Sequence, residues 1–252
     1  QIWLKNNWIL LICVKTIKKS TNNRLNKKKM KKIVLVAFLM LSQMNFAQDK
    51  SVSIGDFDEV KVFDRISLQM IQGSENKIEI TGAKSEDVQI VNNNGELKIR
   101  MRLGKLLAGD NITAKLYFKN EIHEITASEG AYVSSEATFK AVAFEVSSKE
   151  GAEVKINLDV QKLDAKTSSG GILKLNGSAT NVVAISNSGG IVKAKDLKTK
   201  QTQITVNAGG EAEVNASEFV EAKTRAGGNI HVYGSPKQVN KKNVIGGNIT
   251  IH

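Results

Sequence analysis

The chain has 252 residues, 41% hydrophobic and 24% charged, which is typical of a globular protein and excludes collagenous and disordered classes. Its formal charge of +11 comes almost entirely from residues 1–47, which hold ten Lys or Arg and no acid. Residues 48–252 hold 26 basic and 25 acidic side chains. We therefore expect no nucleic-acid partner, because phosphate neutralisation needs clustered Lys and Arg. Cys13 is the only cysteine, which excludes disulfide frameworks and cysteine zinc sites from the rest of the chain.

Residues 30–47 have the pattern of a secretory signal peptide. Lys31 and Lys32 precede nine apolar residues at 33–41, and Ala47 is a small residue at the expected cleavage site. Nine apolar residues are far short of the ~20 that span a bilayer, and no cysteine follows for a lipid anchor. We predict export to the periplasm, the outer-membrane surface or the exterior, without a transmembrane anchor in the mature chain.

Residues 1–29 lie upstream of this leader and begin with Gln rather than Met. We expect them to be an over-extended gene model. A genuine cytoplasmic extension, with 8–14 as a second short apolar stretch, is the alternative.

The first part of the mature chain, residues 48–126, alternates apolar and polar residues with the two-residue period of half-buried strands. Its alternating apolar positions are Val60, Val62, Ile66, Leu68, Met70, Ile78, Ile80, Val88, Ile90, Leu97, Ile99, Met101, Ile112, Ala114, Leu116 and Phe118. The segment 92–95, Asn-Asn-Asn-Gly, is a hairpin signal. We predict an N-terminal β region of longer strands that leads into the following repeat and caps it.

Residues 127–252 contain an internal repeat marked by small-residue pairs. The first glycines of the pairs, which we predict to be the structural corners, are Gly130, Gly151, Gly170, Gly189, Gly209, Gly227 and Gly246. Their spacings are 21, 19, 19, 20, 18 and 19 residues, so the repeat is about 19 residues long. Alternating apolar residues flank each pair, as in Val154 and Ile156 or Leu173 and Leu175.

Such a unit cannot bury its apolar face alone, but stacked units can. We therefore predict an all-β fold, a single-stranded parallel β-helix with Gly-pair corners, in which 48–252 form one continuous domain. The alternative is an antiparallel sandwich, which also has short strands at regular spacing.

The chain resembles the head GIN, auto-transporter adhesin domain family (DUF2807-type) of Bacteroidetes-like secreted proteins. The segments that carry the resemblance are 57–62, 66–73, 77–80, 94–99, the Gly-pair repeats, 228–236 with its Tyr-Gly-Ser-Pro, and 246–251. The resemblance covers about 55–252 and implies a β-helix-like fold, export to the envelope and a role in adhesion. It implies no catalytic residues.

Residue patterns for catalysis or metal binding are weak. The histidines, His123, His231 and His252, have no His or Cys partner at ligand spacing, so no metal site is expected. Ser169 and Ser188 precede Gly pairs, but Glu or Ala fills the same position in other repeats, which indicates turn chemistry rather than a nucleophile. Neither a calcium repeat nor a phosphate or dinucleotide loop occurs, and we predict no cofactor.

Paired carboxylates keep one enzymatic alternative open, because glycan cleavage needs two carboxyl groups ~5–9.5 Å apart. The nearby pairs are Glu150 with Glu153, Glu211 with Glu213, and Glu121 with Glu124. A carbohydrate-active enzyme with an acidic groove is therefore the second hypothesis.

Our first hypothesis is a secreted, non-enzymatic binding module or adhesin with an unknown surface ligand, either a glycan or a protein. The candidate contact residues are Tyr132, Glu213, His231 and Tyr233, although Tyr233 is also expected to cap the C-terminal end beside Pro236. A periplasmic structural or envelope-stress module is the third hypothesis.

Overall fold

The computed structural model describes residues 50–252, so the predicted leader and the segment before it lie outside the described residues. The described part consists of strands and one 3-10 helix, Ser85–Asp87. The strands are β1 (Lys50–Ser53), β2 (Glu59–Val62), β3 (Ser67–Gln72), β4 (Lys77–Thr81), β5 (Val88–Asn93), β6 (Glu96–Met101), β7 (Thr113–Phe118), β8 (Glu124–Ala127), β9 (Tyr132–Lys149), β10 (Glu153–Ser168), β11 (Ile172–Ser186), β12 (Ile191–Asn207), β13 (Glu211–Arg225), β14 (Asn229–Tyr233), β15 (Gln238–Asn243) and β16 (Asn248–Ile251). No helix within 50–252 is long and apolar enough to cross a membrane.

The long strands β9 to β13 each form one coil of a solenoid. Each coil pairs in parallel with the next, so that Val154 lies beside Leu173, Leu173 beside Val192, and Val192 beside Ala212. Strands β14 and β15 together continue the stack on β13, and β16 continues it on β14. The prediction of a parallel β-solenoid is confirmed, and the antiparallel sandwich is wrong because neighbouring coils run in the same direction.

The core is built from the inward residues of every coil. Alternation places Val154, Ile156 and Leu158 of β10 wholly inside, and the next coils repeat the pattern with Leu173 and Leu175. Burial of each such side chain contributes about 1.5–3 kcal/mol relative to exposure. Because adjacent coils are ~4.8 Å apart, equivalent residues form continuous columns inside and outside.

The two positions of a Gly pair require glycine for different reasons. Gly170 has φ +75° and would leave an added Cβ with no neighbour within 4 Å, so it is required by backbone conformation. At Gly171 an added Cβ would lie 2.2 Å from the carbonyl oxygen of Ser148 in the preceding coil, so it is required by close stacking. The residue before the pair, Ser169, also has positive φ. All seven predicted corner glycines lie in such turns with positive φ.

The N-terminal strands extend the same stack, but from segments that are distant in sequence. On one face β9 is followed by β3, β7, β4 and β1; on the other it is followed by β8, β2, β6 and β5. The level next to β9 therefore combines β3 with β8, and the level after it combines β7 with β2. Each of these levels is built from two pieces of chain rather than one.

The last strands of this region are antiparallel and end the stack. The pairs β1–β4, β4–β7 and β5–β6 all run antiparallel, and Asn94 and Gly95 form the tight turn of the β5–β6 hairpin. These strands cap the solenoid as expected. Their lengths differ from the expectation, because the N-terminal strands have 4–6 residues and the coils run as bent strands of 15–18.

The other end of the stack is formed by β15 and β16. Lys241 and Lys242 are exposed on β15, and Val244 and Ile245 follow them, also exposed. Charged side chains, lysine above all, discourage an edge strand from pairing with other chains.

Candidate binding face

The outward side chains of the first half of each coil make one continuous surface, which we call the ladder face. It consists of the outward side chains within 132–136, 153–157, 172–176, 191–195, 211–215, 229–233 and 248–252. Parallel, in-register stacking puts equivalent side chains directly beside one another. The ladder face is therefore a set of columns whose members are ~4.8 Å apart.

One column carries three lysines in successive coils. Lys155 lies beside Lys174, and Lys174 beside Lys193. The ammonium of Lys174 is 2.6 Å from a carboxylate oxygen of Glu153, whereas Lys155 and Lys193 are exposed and form no ion pair within the described residues. Like charges at this spacing repel, so an anion placed along the column relieves the repulsion.

The same column continues into an aromatic cluster. Glu213 lies beside Lys193 on one side and His231 on the other. Nδ1 of His231 is 3.1 Å from Nε2 of His252, and the His252 ring stacks on Tyr233 with centroids 4.5 Å apart and planes within 9°. Lys195 places its ammonium 4.5 Å from the centre of the Tyr233 ring, a cation–π contact.

Three of the four candidate contact residues therefore meet in one place. Glu213, His231 and Tyr233 are neighbours, whereas Tyr132, which is 37% exposed, lies on the same face several coils away. His252 and Lys195 belong to the cluster but were not candidates. The signal was available for His252, because His231 and His252 are 21 residues apart, close to one repeat.

The carboxylates considered for catalysis are held in structural contacts or lie on open surface. Glu153 pairs with Lys174, and Glu150 accepts a hydrogen bond of 2.8 Å from Ser128 Oγ. Glu124 is 3.5 Å from the ammonium of Lys61. The described residues contain no group of three or more His, Cys, Asp or Glu placed to hold a metal ion.

Lys61 is the centre of a charged cluster on the face formed by β6, β2, β8 and the second half of each coil, which we call the second face. Glu59, Glu96 and Glu124 surround its ammonium. The hydrogen bond to Glu96 is the main cause that raises the pKa of Lys61, and partial burial opposes it. The same hydrogen bond lowers the pKa of Glu96. The cluster stabilises the pairing of β2 with β6 and β8.

A third charged feature lies at the Gly corners, where Glu129 is stacked between Asp64 and Glu150. Asp64 is buried and accepts hydrogen bonds from the backbone N–H groups of Met101 and Leu107, at 2.9 and 2.8 Å. Burial, followed by the charge of Asp64, raises the pKa of Glu129.

Residues 56–236 match the sequence profile of one protein family, described as "Putative auto-transporter adhesin, head GIN domain". The chain belongs to the head GIN domain family. The resemblance noted from the sequence is thereby confirmed. The matched residues include most of the N-terminal strands and most of the solenoid. No functionally curated protein is significantly similar to the chain.

Solved structures share the head GIN fold of this chain at low sequence identity. A crystal structure described as a putative adhesin from Bacteroides fragilis has a TM-score of 0.75 at 19% identity, covering 81% of this chain and 96% of that one. One from Parabacteroides distasonis, also described as a putative adhesin, has a TM-score of 0.64 at 20% identity, with coverages of 81% and 96%. Another protein of that organism, described as a putative lipid binding protein, has a TM-score of 0.60 at 17% identity, with the same coverages.

Proposed function

We propose that this head GIN protein is an exported, non-catalytic adhesin that binds its ligand with the ladder face. The observation that carries the proposal is the column of Lys155, Lys174 and Lys193, which continues through Glu213 to His231 beside the Tyr233–His252 stack. The family description and the adhesin-named neighbours agree with a binding role.

The chemistry of the face favours an acidic glycan. Lysine ammonium groups repeat at the ~4.8 Å spacing of the coils, so they suit a polymer that carries carboxylates at regular intervals. The stacked Tyr233 ring offers an apolar surface with a polar tip, the kind of surface on which sugar rings pack. A protein ligand would not need this regular spacing.

Binding of polygalacturonate, compared with its neutral methyl ester, tests the proposal. We expect the full chain to bind the acid form in a salt-dependent manner. The double variant Lys155→Gln/Lys193→Gln should weaken binding about a hundredfold or more, since each of the two lost charge-assisted hydrogen bonds is worth about 1.5–3 kcal/mol. The matched control is Lys223→Gln/Lys242→Gln, which removes two adjacent lysines from the second face. Equal binding of both polymers would contradict the proposal.

Location is tested by protease treatment of intact and lysed cells, with detection of peptides from 51–252. We expect cleavage on intact cells. Protection until lysis would place the protein in the periplasm and favour a structural or envelope-stress role.

The enzymatic alternative makes a different prediction. A glycan-cleaving enzyme would release reducing ends from the polysaccharide, and Glu213→Gln would abolish that release. We expect no release by either form of the protein.

A further inference from the structure

Within residues 50–252, the level next to β9, which contains β3 and β8, has no strand beside the middle stretch of β9, residues 136–144. On the N-terminal side of β9, residues 132–135 pair with β3 and residues 145–148 pair with β8. Between them, no strand of the described residues pairs with β9 on this side, although the same stretch pairs with β10 on the other side. Since N–H and C=O groups alternate in direction along a parallel ladder, about half of those at 136–144 point away from β10. One group of this stretch, the Ala137 N–H, already donates to Ser135 Oγ at 3.2 Å.

The chain path explains the gap. Strand β3 ends at Gln72, and the chain continues into β4. Strand β8 begins at Glu124 and is connected to β7 by residues 119–123. No segment joins the end of β3 to the start of β8. The level next to β9 therefore has two sides in place, and a position about one strand wide is left open.

The open position contains two neighbouring cavities, which together we call the slot. The first part, of about 390 Å³, is lined by Gln72, Phe118–Ile122 and Thr138–Lys140. The second part, of about 460 Å³, shares Glu121 with the first and extends past His123, Val142 and Ala143.

The floor of the slot is apolar. The rings of Phe118 and Phe139 stack with centroids 5.5 Å apart, and Phe144 packs on Phe139 at 5.6 Å. These large rings fill the core where the absent side would have contributed inward residues. Val142, on the unpaired stretch, is 69% exposed.

The rim of the second part is strongly acidic. Its lining includes six carboxylates and one lysine, Lys162; the carboxylates are Asp58, Glu59, Glu121, Glu124, Glu145 and Asp164. Lys162 is already paired with Asp164 at 2.8 Å, and Glu59 and Glu124 share Lys61. Lys166 lies 3.8 Å from Glu145, so within the described residues Asp58 and Glu121 are the rim carboxylates without an ion pair, and the second part carries unbalanced negative charge. The first part is lined by two lysines, Lys119 and Lys140.

We propose that the slot binds an extended peptide segment of a partner protein, which adds to the free edge of β9 as the missing strand. Main-chain hydrogen bonds to β9 supply affinity in this mode of recognition, and side-chain contacts supply specificity. An apolar side chain of the peptide faces Phe118 and Phe139, and a basic side chain faces the acidic rim. The slot is separate from the ladder face. Peptide binding at the slot and glycan binding at the ladder face can therefore be tested, and refuted, independently.

The test uses a fluorescein-labelled, amidated hexapeptide, Lys-Val-Thr-Val-Thr-Lys, titrated with the purified full chain and followed by fluorescence anisotropy. We expect saturable binding, and about tenfold weaker binding of the peptide with Glu in place of both Lys. Single N-methylation along the peptide should weaken binding at every second position only, because alternate N–H groups of a strand face the same side.

A matched pair of protein variants locates the site. Glu121→Gln should weaken binding of the Lys peptide and leave binding of the Glu peptide unchanged or stronger. Glu218→Gln, an equally exposed carboxylate on β13, should change neither. Hydrogen exchange should show protection of alternate amides within 136–144 when the peptide is bound.

Several results would overturn the proposal. These are the absence of saturable binding at millimolar peptide, an N-methyl effect without alternation, and loss of binding in Lys155→Gln/Lys193→Gln rather than Glu121→Gln. Sedimentation that showed a dimer in which the amides of 136–144 are protected would assign the slot to a second copy of the chain instead.

Discussion

The Gly-repeat coils and the N-terminal levels build the same two stacked faces in different ways. In the coils, each level is one uninterrupted strand and pairs with the residues about 19 positions away. In the two N-terminal levels nearest β9, each level is assembled from two short strands, β3 with β8 and β7 with β2, that are more than 50 residues apart. The shared geometry comes from burial and ladder hydrogen bonds and does not require a repeating sequence.

This contrast has a consequence for stability and folding. A coil contacts only its neighbours, so the solenoid is close to a one-dimensional stack. The N-terminal levels need long loops to close before their contacts form, which is entropically costly and slow. The junction between them, where Phe144 packs in the aromatic cluster beneath the slot, holds the two kinds of structure together.

Removal of a buried aromatic side chain at this junction should lower the free energy of unfolding more than any other change considered. Phe144→Ala removes a ring that is 1% exposed, and we expect a loss of about 3–5 kcal/mol in the free energy of unfolding. The measurement is urea unfolding. Phe219→Ala, the same change at a partly exposed outward position of β13, should cost much less. Similar losses for the two variants would show that the junction has no special role.

The two positions of one Gly pair should differ in cost. Gly171→Ala places a Cβ against the carbonyl of Ser148, so we expect a loss of about 1–3 kcal/mol or more. Gly170→Ala meets no atom and carries only the cost of positive φ, about 1 kcal/mol. Thermal or urea unfolding of the two variants measures both losses. A larger loss for Gly170→Ala than for Gly171→Ala would contradict the stacking explanation.

Buried threonine hydroxyl groups of two different coils, β10 and β13, provide a finer comparison. Among residues 50–252, Thr167 Oγ1 is buried and finds no hydrogen-bond partner, whereas Thr224 Oγ1 donates to Asn243 Oδ1 at 2.6 Å. Thr167→Val should therefore raise the free energy of unfolding by about 1 kcal/mol, and Thr224→Val should lower it by a similar amount. Equal signs for the two substitutions would contradict this account.

The smallest effect concerns pH. Because the pKa of Glu129 is raised in the folded protein, folding favours its protonated form. The stabilisation that this proton gives is complete below the ordinary Glu pKa and is lost as pH rises through the raised pKa. Glu129→Gln should thus gain stability over the native chain as pH rises from 4 to 7. A stability difference between Glu129→Gln and the native chain that does not change with pH would sink this explanation.

The solenoid was predictable from sequence because one local signal recurs. Gly pairs about 19 residues apart and alternating Val, Ile and Leu fix the period, the inward positions and the parallel stacking. The order of the N-terminal strands was not predictable, since Leu97 and Ile125 both pair with Val60 on β2 and nothing in their local sequence distinguishes them. Alternation fixes which residues point inward, and burial across long sequence separations decides the neighbours.

The candidate site was predictable only in part, for the same reason. Glu213 and His231 follow from the repeat, because the column position after each Gly pair can be counted. The cluster with His252 and Lys195 depends on side-chain directions at the end of the stack, and the slot depends on a strand that is missing. An absent segment leaves no pattern in the residues that are present.

Because each coil contributes one position to the lysine column, the number of contacts available to a repetitive ligand would depend on the number of coils in the chain. Duplication of one coil of about 19 residues would add a rung without disturbing the others, because each coil meets only its two neighbours. Every added rung of the Lys155 type would bring one more contact to a repetitive ligand at the same spacing. A ligand held at several such points releases only when all of them open together, so small changes in coil number translate into large changes in residence time.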